Sequence, residues 1–336
     1  MSTTSATVVD PRTEGSVRGS TPVTRKKRST GLASPLEVLG FTGPAILVYV
    51  AFVFLPIGFA FAMSFFDGIQ VAPFREFIGF DNFARIFTFE RQFGQPFFWD
   101  ALRNNILIAV FSLLLQGPLA IGVALLLNRK MRFRQFFRLL IFVPYVLSEV
   151  ITGLIFSIAL TSGGAVDTWL GRLGLDSLQG TLWLGTTGTG GPGSITFWTV
   201  FVVLTWKYVG LAIILFMAGL ASVPEELSEA AMIDGASWWQ TQWRVTIPLL
   251  GPTIRIWAFL SLIGSFQLFD MVWILFGGAP GRLTTVGMHT MATYMVTQGS
   301  AGRVGYGAAI GIVLFIFTMI IALLYQKFIL NRDLEG

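Results

Sequence analysis

The stretch "ELSEAAMIDGASWWQTQWRVTIP", residues 226–248, separates two long apolar runs at 195–220 and 252–276. It is mostly polar or small, opens on acidic residues and ends on Pro248. Just ahead of it, Ser222 followed by Glu225 fits a capping box, and Pro224 suits a first helical turn. Leu227, Ala230, Ala231 and Ile233 are spaced so that one face of the helix can pack inward. The acidic residues lie near the helix N-terminus, where its dipole favours them. Gly235 interrupts the pattern, either as a C-cap or as a point of close backbone approach. The run "SWWQTQWRV", 237–245, predicts a second short helix ending at Pro248. The expected unit is a helix–glycine–helix elbow between two apolar runs. A rigid elbow transmits force to a partner; an amphipathic helix resting on a bilayer has a similar pattern.

The flanking runs fix the class of protein. The chain has 336 residues, of which 54% are hydrophobic and 12% charged, with a mean hydropathy of +0.70. Soluble domains carry about 25% charged residues. Six runs reach the ~20 residues that a helix needs to cross hydrocarbon: 40–66, 104–127, 136–160, 195–220, 252–276 and 305–330. They are continuously apolar rather than alternating, which excludes a β-barrel. Pro44, Pro56, Pro118 and Pro144 lie within them, as a helix bundle tolerates. The absence of cysteine excludes disulfides, thiolate metal sites and cysteine nucleophiles.

Lys and Arg set the orientation. With a cytoplasmic N-terminus, fifteen fall inside, including Arg25-Lys26-Lys27-Arg28 and the 129–138 group, against seven outside. The positive-inside rule then places both termini and the elbow in the cytoplasm. This distribution makes the basic excess a topology signal rather than a nucleic-acid surface. Residues 1–35, rich in Ser, Thr, Pro and Gly, are expected to be a disordered basic tail that fixes topology, with contact between its basic cluster and anionic membrane lipid as the alternative. Residues 36–100 hold the first span and an outer loop, and 101–330 the main transmembrane domain, with the elbow at 222–250.

At this point a resemblance becomes specific. Glu229-Ala230-Ala231, Gly235, Val245, Ile247 and Pro248 stand at the spacing of the signature of permease subunits of bacterial ABC importers. Further blocks follow in that family's order: "IGFDNFARIF", "FWDALRNN", "ALLLNRKMRFRQFFR", "FVPYVLS", "FQLFD" and "GGAPG". Together they resemble the carbohydrate-uptake branch, the first of its two paired permeases. The resemblance implies an all-α, six-helix type I importer permease in the bacterial plasma membrane. It implies as partners a second homologous permease, a dimeric ATP-binding cassette ATPase and an extracytoplasmic solute-binding protein. The elbow would be the coupling helix, seated in a groove of the ATPase. Glu229 would form a charge-assisted hydrogen bond there, Ala230 and Ala231 would permit close approach, and Asp234 would brace the elbow. The implied cargo is a di- or oligosaccharide, or glycerol 3-phosphate as the alternative.

No G-x-x-x-x-G-K-[ST] occurs in the chain, so ATP and Mg²⁺ are expected on a separate protein. A G-x-G-x-x-G at Gly188, Gly190 and Gly193 leads into a span rather than a βαβ unit, and reads as a loop. His289 is the only histidine and has no nucleophile beside it in sequence, so catalysis within the chain is not expected. Polar residues within the apolar runs mark a path or an internal pair: Gln116, Glu149, Lys207, Gln267 and Asp270. On a straight rise of 1.5 Å per residue, Glu149 and Lys207 both reach the middle third of the membrane and can pair. Asp270 falls near an outer end. Sugars need flat apolar faces and hydrogen-bonding groups, so Glu149, Trp206, Lys207, Tyr208, Phe266, Gln267 and Trp273 form the candidate path. An ion-coupled secondary transporter is the competing class, kept open by Glu149.

Overall fold

The computed structural model describes residues 35–88, 98–129, 131–185 and 190–330. The expected disordered tail falls outside these residues except for Pro35, and so does Gly188. The chain divides at Leu55/Pro56 into two units. The first apolar helix, α1 (Val38–Met63), runs across that division.

Within the second unit, α2 (Asp81–Phe87) follows a turn that Asn82 holds by donating to the carbonyls of Ser64 and Phe66 at 2.9 and 3.0 Å. Helix α3 (Phe98–Asn128) and α7 (Ile195–Ala221) are long and apolar enough to cross a membrane, as is the final helix, α14 (Val304–Ile329). The third expected span is instead two helices, α4 (Arg134–Val146) and α5 (Glu149–Ala159), meeting at 94°. Leu147 and Ser148 between them are extended. A short outer helix, α6 (Ala165–Arg172), is tied down by Asp167, which accepts from the Gly163 and Gly180 N–H groups and from Trp183 Nε1. These bonds hold the Asp167 carboxyl below its ordinary pKa.

The elbow is α8 (Glu225–Ile233) followed by α9 (Trp238–Leu249). Helix α10 (Gly251–Gln267) then leaves α9 at 67°. The expected span 252–276 therefore stops early: Leu268 is extended and the chain turns into α11 (Asp270–Leu275). Thr290 Oγ1 fixes the break by donating to the Leu268 carbonyl at 2.7 Å. Helices α12 (Pro280–Val286) and α13 (Met291–Ser300) complete the outer side. Counting each bent pair once gives six membrane-crossing segments, and no strand occurs among the described residues.

The core is a chain of apolar clusters along α7. Phe197, Val200, Val203 and Leu204 pack with Met271, Val272 and Leu275 of α11, while Ile213, Phe216 and Leu220 pack with Ala120 and Ala124 of α3 and with Trp257 of α10. Helix α7 approaches α4 unusually closely, because a Cβ on Gly210 would lie 2.4 Å from the Ile141 carbonyl oxygen. That contact places Lys207, one turn earlier on the same face, against the end of α4.

Two adjacent polar residues near the start of α3 tie the outer segment to the bundle. Asn104 donates to the carbonyls of Gly287 and His289 at 2.8 and 2.9 Å. Asn105 donates to the Ser265 carbonyl at 2.5 Å and accepts from the Met291 N–H at 2.8 Å. His289 itself is buried, with Nε2 3.1 Å from the Thr284 hydroxyl. Burial pushes its pKa down to about 4, so it is neutral at pH 7.

Candidate functional site: an exposed elbow and an internal cavity

The elbow forms where expected, with different local chemistry. Ser222 donates its hydroxyl to the Gly219 carbonyl at 2.7 Å, and the N-cap of α8 is Pro224 without a side-chain bond. The capping box lies instead at Ser237, whose side chain accepts from the Gln240 N–H while Gln240 Oε1 accepts from the Ser237 N–H. Of the two alternatives for Gly235, the C-cap is observed. Its φ is +88°, its N–H bonds the Met232 carbonyl, and the Ala236 N–H bonds the Ala231 carbonyl, which is a Schellman turn. A Cβ at Gly235 would meet nothing within 4 Å, so no close approach inside this chain requires the glycine. The turn is held by backbone groups; a bond from the Asp234 side chain across the elbow is absent among the described residues.

The inward-packing face expected for α8 is not buried. Leu227, Ala230, Met232 and Ile233 are exposed, Ile233 by 85%, and Ala231 is half-buried. Glu229 is exposed as well. The second arm is anchored: the Arg129 guanidinium stacks over Trp238 at 4.1 Å, tying α9 to the end of α3. Val245 and Ile247 are half-buried, while Pro248 is exposed in the last turn of α9. The structure thus holds one arm firmly and leaves the other arm's apolar face without cover among the described residues.

Some distance along the bundle, α3, α7, α10 and the two helix breaks enclose a cavity of about 560 Å³. Its polar lining comes from Ser112, Gln116, Tyr145, Glu149, Tyr208, Ser261, Ser265, Gln267 and Asp270, with Phe201, Leu204, Trp257, Leu260 and Phe269 as apolar walls. Ser112 donates to Gln116 Oε1 and lies 2.8 Å from the Ser261 hydroxyl. Tyr208 donates its hydroxyl to Glu149 Oε1.

Of the sequence-derived candidates, Glu149, Tyr208 and Gln267 line this cavity. Trp206 is exposed and packs edge-on against Phe156, and Phe266 is buried against Phe317. Trp273 stacks on Phe269 behind the wall. Lys207, 3% exposed, does not line the cavity. Its ammonium donates to the carbonyls of Pro144 at 3.2 Å, Tyr145 at 2.9 Å and Leu147. No ion pair joins it to Glu149 among the described residues, although it lies in that carboxylate's field. The 94° bend also overturns the straight-helix depth assigned to Glu149. Asp270, expected near an outer end, lines the cavity because the span breaks at Leu268. Ser112, Ser261, Ser265 and Trp257 were not legible as lining. Their spacing along α3 and α10 was the available signal, but uniformly apolar helices leave the facing side undefined.

The elbow lies within the part of the chain that a family model matches. A family model described as "binding-protein-dependent transport system inner membrane component" covers residues 116–332, from mid-α3 through the elbow to the end of α14. The chain belongs to this family. Among its relatives, the arabinooligosaccharides transport system permease protein AraP of Bacillus subtilis (strain 168) is 31% identical over 85% of this chain and 86% of its own length. The diacetylchitobiose uptake system permease protein NgcF of Streptomyces coelicolor is 31% identical over 97% of this chain and 90% of its own. A bacterial ABC transporter involved in the import of the acidic polysaccharide alginate shares the permease fold. Its TM-score is 0.70 at 24% identity, covering 86% of this chain and 93% of that one. The permease is therefore an all-α, multi-pass membrane protein.

Proposed function

We propose that the permease is one of two similar membrane subunits of an ATP-driven importer in a bacterial plasma membrane. It carries a di- or oligosaccharide handed over by an extracytoplasmic binding protein. ATP and Mg²⁺ are held by a separate ATPase dimer, and α8 seats in a groove of that dimer. The observation that carries this reading is the elbow: a rigid Schellman turn whose outer arm presents uncovered Leu227, Met232 and Ile233 beside Glu229, Ala230 and Ala231. Exposed apolar residues on a helix that the chain does not cover mark an interaction site. Rigidity matters because a force arriving at α8 passes through α9 and the 67° junction into α10 rather than being lost in a loop.

The sugar reading rests on the cavity and on the relatives' names. Amides and hydroxyls beside Phe201, Trp257 and Phe269 suit a ligand with hydroxyl edges and apolar faces. Several relatives are named for arabinooligosaccharides, diacetylchitobiose and trehalose/maltose. Glycerol 3-phosphate is the second reading, and it fits less well because no Lys, Arg or His lines the cavity among the described residues.

The test is ATP-dependent uptake of a neutral oligosaccharide panel by the reconstituted transporter, with Gly235→Asp beside the wild type. An added side chain meets nothing within 4 Å, so its cost is the backbone strain at φ +88°, which Asp bears better than most residues. The variant should fold, yet lose assembly or hydrolyse ATP without moving sugar. Unchanged uptake and hydrolysis would reduce α8 to a surface helix and sink the proposal.

A further inference from the structure

Two carboxylates face the cavity, and no Lys, Arg or His lines it among the described residues. Glu149 begins α5 and Asp270 begins α11, so each helix break delivers one carboxylate to the same wall. The two helices are packed together: a Cβ on Gly153 would lie 3.1 Å from the Ile274 side chain. Tyr208 lines the cavity with both carboxylates and donates its hydroxyl to Glu149. Lys207 lines an adjoining cavity of about 540 Å³ with Glu149 and Tyr208, and its ammonium is turned to three backbone carbonyls.

Resting on the translocation reading above, we infer that Glu149 and Asp270 are specificity-determining residues that admit neutral or amino sugars and reject anionic ones. The chemistry is one of donors and acceptors. Sugar hydroxyls and ammonium groups donate to carboxylates, whereas the ionised group of a uronate, sulfonate or phosphate donates nothing and brings like charge. At an effective dielectric of about 20, one carboxylate about 8 Å away disfavours a monovalent anion more than tenfold. The family itself leaves this choice open. Relatives include a sulfoquinovosyl glycerol permease and the alginate importer as well as the neutral oligosaccharide systems. The charge at this wall decides between them for this chain.

The chain contains no cysteine, so a single thiol can report the local field. In the assembled transporter, Gln267→Cys is treated with cationic trimethylammonioethyl, anionic sulfonatoethyl and neutral methyl methanethiosulfonate. Each transfers its alkylthio group to the thiolate and releases methanesulfinate. Modification of this chain is followed by mass spectrometry, with rates normalised to a free thiol. The cationic reagent should react at least tenfold faster than the anionic one. Adding Glu149→Gln and Asp270→Asn should bring the ratio to within about twofold of the free thiol. Asp270→Asn alone, which keeps the Tyr208–Glu149 bond, should reduce it part-way. An unbiased or anion-favouring ratio in Gln267→Cys, or one unmoved by the added substitutions while the neutral reagent still reacts, overturns the selectivity and leaves the path standing. Failure of all three reagents to react means that water does not reach this wall, and overturns the path as well.

Discussion

Lys207→Met isolates the task that the structure gives to the buried ammonium. Methionine keeps most of the side-chain length and apolar stem, so little cavity is created. What disappears is the donor to the Pro144, Tyr145 and Leu147 carbonyls. These are among the last acceptors of α4, where the helix has no further N–H groups to offer and its dipole is negative. Each orphaned buried carbonyl costs about 1–3 kcal/mol. Part of that loss is offset because the variant no longer buries a charge. A net loss of about 2–4 kcal/mol follows, and at roughly 2 °C per kcal/mol for a chain of this size the unfolding midpoint falls by about 4–8 °C. The assay is thermal unfolding of the reconstituted transporter by tryptophan fluorescence, with ATP-dependent uptake measured below the transition. Uptake per folded transporter should survive, because the ammonium does not line the cavity. A double-mutant cycle with Glu149→Gln should give a coupling below about 1 kcal/mol, because Glu149 is bonded to Tyr208 rather than to Lys207. An unchanged midpoint would refute the cap, and lost uptake at an unchanged midpoint would return Lys207 to the substrate path.

Two other outcomes follow from the outer side of the bundle. The His289 pKa of about 4 lies below the ordinary 6.5, so below pH 6.5 the unfolded chain takes up a proton that the folded chain refuses. Stability is full above pH 6.5 and falls by about 3 kcal/mol as pH drops to 4. His289→Gln should flatten that part of the unfolding profile, and an identical slope in both proteins would contradict the burial argument. Asn105→Ala strands the Ser265 carbonyl and the Met291 N–H, and should cost about 2–4 kcal/mol. Limited proteolysis should then open α12 and α13 first; uniform cleavage throughout the chain would count against a local tie.

Composition and run length determined that this chain crosses a membrane, and the basic residues predict which way. The elbow was legible because its glycine and acidic start break an otherwise apolar pattern. Even there, the face of α8 was misjudged: periodicity identifies an apolar face but does not say whether this chain or another protein covers it. Asn104 and Asn105 carried a visible signal, two amides side by side at the entry to an apolar run. Only the tertiary structure decided where spans three and five break. Those runs are apolar across Leu147 and Leu268, and the groups bonded at the breaks, Lys207 and Thr290, come from 60 and 22 positions away. It also decided which residues meet in the cavity. Trp206 and Tyr208 are two positions apart, yet one is exposed beside Phe156 and the other holds Glu149. In a helix that is apolar all round, hydrophobicity no longer marks an inside. Facing is set by close packing, as at Gly210, and by the few polar groups that must find partners.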